Sequence, residues 1–327
     1  LNVSRSNILW EDIRMIIPNI TKTNYKNLEA IRYARFNGKI AGGATHLQLD
    51  GTIQTRLGSI RTGVQATLSK REITQYSGRL QLNQFKLGEM IGLPSLKEVS
   101  LIGLVNGNGW GEVNSQAHFN GEIQSLKFKD VEYKNIRWDA TLKNQLLRSS
   151  ISIDHESLKI NELVASVDWS GEFLHYSLAG TIEKANLQAL QLTASPLLVK
   201  GQIAADVSGQ TMNTLDGSIR LFNAIVLNGE EILPLDSLSI TATPVKNGRR
   251  VEILSNEFQG WLEGQFDWAT LPSVFQKVLH THYPSQVESP QDFPSTSSFQ
   301  FAVNTQYVEP FLQLFSSDLK GFNQLVL

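Results

Sequence analysis

Apolar and polar residues alternate along almost the whole chain, the mark of strands with one buried face. Leu47, Leu49, Gly51 and Ile53 fall on one side while His46, Gln48, Asp50 and Thr52 fall on the other, because successive strand side chains emerge on opposite faces. Val64, Ala66 and Leu68 repeat the pattern, as do Ile136, Trp138, Ala140 and Leu142, and near the end Phe299, Phe301 and Val303. Parity slips once in several strands. Leu80 and Leu82 give way to Phe85 and Leu87 across Asn83-Gln84, and Ile123 gives way to Leu126 and Phe128 across Gln124-Ser125; a β-bulge or a short loop does this.

Helical spacing is rare. Ile13, Ile16 and Ile17 follow an acidic pair and stop at Pro18. Val308, Phe311, Leu312 and Phe315 fit an i, i+3, i+4, i+7 stripe. A third short helix is predicted from Pro272 to about His282, with proline in its first turn. The segment 284–298 carries Pro284, Pro290 and Pro294 among five serines and reads as an exposed loop. An internal repeat of about a hundred residues matches Gly78-Arg79-Leu80 to Gly180-Thr181-Ile182, Gly103 to Gly201, and Gly121-Glu122-Ile123 to Gly217-Ser218-Ile219.

Strand signals at ten-residue spacing predict about 25 to 30 strands. An open sheet rarely exceeds about ten strands without curling or splitting into layers, and the few helices cannot cover one. The apolar face must therefore meet another sheet, close into a solenoid or curl into a gutter, and periodicity does not choose among these. The fold class is all-β: a long, curled antiparallel or mixed sheet with a few short helices, running through 1–327 as one repetitive groove.

Composition narrows the function. With 29 basic and 31 acidic residues the formal net charge is -2, which lacks the basic excess of a nucleic-acid partner. The chain has no cysteine, so disulfides, thiolate metal sites and thiol nucleophiles are excluded. No apolar run reaches the roughly 18 residues of a membrane-spanning helix. The first and last residues read as those of an internal piece, with any membrane anchor expected outside it.

The motifs that suggest chemistry are weak. His280-x-His282 places two rings on different helix faces, and Asp154-His155-Glu156 alternates faces along a strand. Gly107-x-Gly109-x-Gly111 lacks the following helix and Lys-Ser/Thr of a phosphate loop. No Gly-x-Ser-x-Gly elbow occurs. A carboxylate pair from distant strands stays open. Neither a cofactor nor a metal is expected, and the chain reads as no enzyme.

Trp10-Glu11-Asp12-Ile13 to Ile16-Ile17-Pro18, followed by strands opening on Gly-x-apolar, resembles the short helical interruptions of the TamB family, particularly of the Bacteroidota type. Gly78 to Leu93, Leu142 to Ile153, Gly180 to Leu192 and Ser255 to Leu271 resemble segments of that family in the same order. The resemblance implies an AsmA-like, bridge-like lipid transfer protein: a β-taco, or open solenoid-like groove, in the periplasm. Such a protein is anchored in the inner membrane and carries phospholipid acyl chains towards the outer membrane, with a TamA-like or BamA-like barrel as partner. The residues expected to line the groove are Leu47, Leu49, Leu80, Leu82, Phe119, Ile136, Trp138, Ile151, Ile153, Ile219, Leu221, Val251, Ile253, Phe299, Phe301 and Val303. A packed core requires the same residue types. Two other functions fit the pattern: an outer-membrane assembly factor that templates barrel strands at a sheet edge, and a carbohydrate-binding β-solenoid.

Overall fold

A computed structural model describes residues 2–9, 28–69, 72–109, 115–193, 196–229, 231–268, 270–282, 298–313 and 323–326. The chain forms two compact units, Leu1–Ser170 and Gly171–Leu327. Among the described residues there are eighteen strands, fewer than turn spacing predicts, because single strands run to as many as 15 residues. Among the described residues every strand pairing within the two units is antiparallel, which resolves the fold class as an all-β antiparallel one.

The first unit contains β1 (Asn2–Leu9), β2 (Tyr33–Gly42), β3 (His46–Thr55), β4 (Gly58–Ser69), β5 (Glu72–Phe85), β6 (Leu96–Asn108), β7 (Gln116–Phe128), β8 (Val131–Tyr133), β9 (Ile136–Lys143), β10 (Leu146–His155) and β11 (Leu158–Asp168). Each strand pairs with the next, except that β7 pairs with both the short β8 and β9. Asn144 and Gln145 join β9 to β10 with positive φ at both positions (50° and 64°), the two-residue turn whose twist suits a hairpin.

Register carries the apolar alternation from strand to strand. Directly opposed residues share a face, and Phe36, Ile53, Ile60, Leu82, Leu101, Ile123, Ile136 and Ile153 follow one another across β2 to β10 as one such row. Ile40, Leu49, Val64, Gly78, Val105, Phe119 and Ala140 form a parallel row on the same face. The opposite face carries Lys39, Asp50, Gly63, Arg79, Leu104, Asn120 and Asp139, polar but for the exposed Leu104 and Gly63. Bulges keep the faces constant where parity slips. The register shifts between Leu82 and Phe85, where Gln84 has φ 44°, and Ser100 and Leu101 oppose Ser125 and Ile123 with Gln124 left over.

Glycines mark where this sheet bends. A Cβ added at Gly38, Gly51, Gly78, Gly103 or Gly121, all on the apolar face, would lie 2.2 to 2.6 Å from a carbonyl oxygen of the neighbouring strand, whereas one added at Gly63 on the polar face would meet nothing within 4 Å. Only a sheet curled towards its apolar side crowds one face in this way. Aromatic rings cover the bare backbone: Phe36 lies over Gly38 and Gly51, and Phe119 over Gly103 and Gly121, as rings commonly do over strand glycines.

One end of the face is packed. Helix α1 (Leu87–Ile91) follows β5 and lies against β6; its buried Gly88 has no room for a Cβ, which would sit 1.5 Å from the Leu96 carbonyl. The alternation reading puts Leu87 in a strand, but the chain leaves the sheet at Lys86, and Gly92 ends the helix in the left-handed conformation. Arg56, in the turn between β3 and β4, donates to the Ala30 carbonyl (2.8 Å) of the 3₁₀ turn Leu28–Ile31 and to Glu89 of α1 (2.5 Å). Beneath lie Leu57, Phe85 and Val99, exposed by 1, 3 and 1%.

The second unit is a meander of β12 (His175–Asn186), β13 (Leu197–Ser208), β14 (Asp216–Asn228), β15 (Glu231–Val245), β16 (Gly248–Ser255), β17 (Phe258–Gln265) and β18 (Ser298–Thr305). Its first four strands repeat the register of β5, β6, β7 and β9 one hundred residues later. Leu80↔Gly103, Gly103↔Gly121 and Gly121↔Trp138 become Gly180↔Ile203, Ile203↔Leu221 and Leu221↔Leu238. The bulge recurs too, between Ile182 and Ala185. Glycine matching therefore finds the repeat but misplaces it by a few residues: Leu80, not Gly78, corresponds to Gly180.

Helix α2 (Leu271–His282) occupies the segment that Pro272 predicts, and α3 (Glu309–Gln313) part of the predicted second stripe. The helix predicted at Ile13 to Ile17 lies outside the described residues, as does the Pro/Ser-rich 284–298 apart from Ser298, which opens β18. Because glycine in a strand interior is ordinarily worse than alanine, Gly63→Ala is expected to change stability by less than about 0.5 kcal/mol. Gly103→Ala is expected to cost about 1 to 3 kcal/mol through overpacking. Urea midpoints of the two variants measure the difference, and equal midpoints would contradict the curl.

Candidate apolar binding site

The apolar face of the first unit is graded along its strands. At the packed end the row contains Phe36, Leu101 and Ile136, exposed by 6, 5 and 3%. At the other end the row reads Gly42, Leu47, Ala66, Tyr76, Gly107 and Ala117 across β2 to β7. A cavity of about 630 Å³ lies at this end. Its lining takes these six residues together with two rows of the polar face that flank them, Ala41, Gln48, Gln65, Ser77, Asn106, His118 and Thr141, and His46, Thr67, Gln75, Asn108 and Gln116. Residues of seven strands thus border one concavity, most of them from the polar face.

Sequence and fold meet here. All nine residues predicted from the first unit (Leu47, Leu49, Leu80, Leu82, Phe119, Ile136, Trp138, Ile151 and Ile153) stand on this one face. Ile219, Leu221, Val251, Ile253, Phe299, Phe301 and Val303 share the equivalent face of the second unit. Their surroundings differ. Leu47, Ile219 and Phe301 stay 37, 42 and 38% exposed, while Ile136 and Val251 are each 3% exposed and belong to packed core. Alternation does not single out Gly42, Ala66, Tyr76, Gly107 and Ala117, which register places in one row with Leu47.

Phe119 and Trp138 pack on neighbouring strands with ring centroids 5.0 Å apart, and the Trp138 indole donates to Ser149 Oγ (3.2 Å). The Tyr76 ring covers Gly107, and burial pushes its phenol above the ordinary value, so it stays protonated at neutral pH. Beside the cavity Asn120 donates to the Asp139 carboxylate (2.7 Å), which also lies 3.0 Å from His118 Nε2. The Asn120 hydrogen bond, with His118 behind it, holds the Asp139 carboxyl below the usual aspartate range. In the second unit Arg249 opposes Pro244 and Gly264. It donates to the Asn213 carbonyl (2.6 Å) and to that of Leu215, and so ties a loop across the strand ends.

The residues that suggest chemistry do not assemble. Asp154 and His155 end β10, where His155 Nδ1 lies 2.8 Å from Ser157 Oγ. His280 and His282 share helix α2. Gly107 lies within β6 and borders the cavity, Gly109 follows that strand, and Gly111 is outside the described residues. Among the described residues, no three His, Asp or Glu gather as metal ligands, and no helix is long and apolar enough to cross a membrane. No family model, curated protein or solved structure matches the chain.

A carboxyl with a lowered folded value contributes stability above its unfolded value, and loses that contribution as pH falls through the folded one. In Asn120→Ala the Asp139 carboxyl is expected to titrate closer to the ordinary 3.8, so the variant loses stability at a higher pH than the parent does. Carboxyl-carbon NMR titration of both proteins reads the difference; unchanged titration would remove Asn120 as the cause.

Proposed function

We propose that the chain is a non-enzymatic carrier of lipid acyl chains, which lie on the concave apolar faces of its units. One observation carries this reading: a face kept apolar in register across β2 to β10, packed at Phe36, Leu101 and Ile136 and still 37% exposed at Leu47. Moving an acyl chain of about fourteen methylenes through water costs on the order of 11 kcal/mol at about 0.8 kcal/mol per methylene. A continuous wall of Leu, Ile, Val and Phe offsets most of that cost without fixing the chain at one point, since hydrophobic contact is non-directional.

The resemblance to the TamB family supports the wider setting. There the cargo is phospholipid, the compartment is the periplasm between inner and outer membranes, and the partner is a TamA-like or BamA-like barrel.

A second reading, strand templating at a sheet edge, is favoured by β18. Among the described residues it pairs fully with β17 on one side and by the single Asn304–Val326 bridge on the other. Thr305 and Gln306 also exchange backbone hydrogen bonds with Leu325 and Gln324 there, the kind of edge pairing that strand templating would use.

Solvent extraction of the purified protein, followed by mass spectrometry, is expected to release phospholipid. Leu47→Asp with Leu49→Asp places charge on the open part of the wall and is expected to remove at least about nine-tenths of that lipid, since each buried charge opposes hydrocarbon by several kcal/mol. The far-ultraviolet circular dichroism should stay that of the parent. A parent protein free of lipid would leave the edge-templating reading ahead.

A further inference from the structure

The polar face of the second unit carries a tryptophan beside an open volume. Trp261 on β17 opposes Glu252 on β16 and Ala302 on β18, and the next opposed set along the strands is Leu254, Gln259 and Asn304. All six stand on the face opposite to Val251, Ile253 and Val303. They border a cavity of about 280 Å³, whose lining is completed by Val326, bridged to Asn304, and by Gly260 and Val303, chain neighbours from the apolar side.

Arg250 backs the indole. Its guanidinium carbon lies 4.6 Å from the ring centroid, and its nitrogens donate to Glu252 (2.7 Å) and Glu263 (2.8 Å). Arg250 opposes Glu263, on the far side of Trp261 from Leu254, Gln259 and Asn304, and takes no part in the cavity lining. The indole therefore stands between the guanidinium and the cavity, and Ala302 opposite it is too small to cover the ring. The Gln259 and Asn304 carboxamides are exposed and make no side-chain hydrogen bond among the described residues; each offers two donors and an acceptor.

We propose that this cavity binds a neutral pyranose ring of a glycan, its C–H face stacked on Trp261 and its hydroxyls bonded to Gln259, Asn304 and Glu252. A flat apolar platform with a few convergent polar groups suits a ring that is apolar on its face and hydroxylated at its edge. Charge argues against the alternatives. Two carboxylates against one guanidinium repel an anionic sugar, and Arg250 already occupies the π system that a second cation would use. The site lies on the face opposite to the proposed acyl-bearing one and is independent of the acyl-carrier reading.

The test is titration of the whole chain with cellobiose and with N,N′-diacetylchitobiose, read by amide NMR shifts, with galacturonate and choline as charged probes. At least one of the two disaccharides is expected to bind with a dissociation constant on the order of 1 mM. Trp261→Ala is expected to weaken that binding about tenfold or more, and Trp261→Phe by less than about threefold, because an aromatic surface remains. Gln259→Ala with Asn304→Ala, both exposed, is expected to weaken it about tenfold, the value of one or two net hydrogen bonds, with the remaining amide shifts those of the parent. Binding of neither disaccharide overturns the proposal, as does binding that Trp261→Ala and the double substitution leave unchanged. Galacturonate or choline binding as tightly as the disaccharide overturns the assignment to a neutral sugar. Each of these results leaves the acyl-carrier reading standing.

Discussion

A strand shifted by one residue against its neighbour turns all its side chains to the wrong face. Everything described above depends on that not happening across β2 to β11 or across β12 to β18. The cross-strand rows are the physical link. Ile53 on Ile60 on Leu82 on Leu101 on Ile123 is a chain of apolar contacts in which each strand's register is fixed by the one before it. Where the spacing of apolar residues breaks, a bulge absorbs the extra residue, so that Phe85 and Leu126 return to the side of Leu82 and Ile123. These bulges correct parity as well as bending the sheet.

The same rows explain why the face is packed at one end and exposed at the other. Bulky residues near α1 fill the curl and are almost fully buried, while Leu47 at the far end stays 37% exposed. Curvature and side-chain volume act together. The glycines at 38, 51, 103 and 121 permit backbones to approach on the inside of the bend, and the rings of Phe36 and Phe119 cover the polar backbone that those glycines would otherwise expose. A wall built this way is apolar without bulging into the space it surrounds, which suits a mobile hydrocarbon chain better than a fixed polar ligand.

The hundred-residue repeat indicates that this design is modular. Tyr76 opposite Gly107 is answered by Tyr176 opposite Val207, and Phe85 opposite Val99 by Ala185 opposite Val199. The pairing scheme persists while the residues change. Volume on the inner face is therefore set module by module, and the position opposite the tyrosine is glycine in one unit and valine in the other.

Alternation by itself determined that the chain is built of strands, which side of each is apolar and where parity slips, at Asn83-Gln84 and Gln124-Ser125, because each follows from the two-residue period of a strand; the number of strands and the choice of bulge over loop came from the pairing. Composition determined the lack of thiol chemistry, and helical spacing placed the helix that follows Leu271. Tertiary structure alone decided the rest. Which of the three ways of covering an apolar face is used depends on curvature, and curvature is a property of neighbouring backbones that no single strand encodes. The departure of Leu87 from the sheet depends on Gly88 fitting against Leu96. The row of Gly42, Leu47, Ala66, Tyr76, Gly107 and Ala117, scattered over some 75 positions in sequence, exists only because register brings them together.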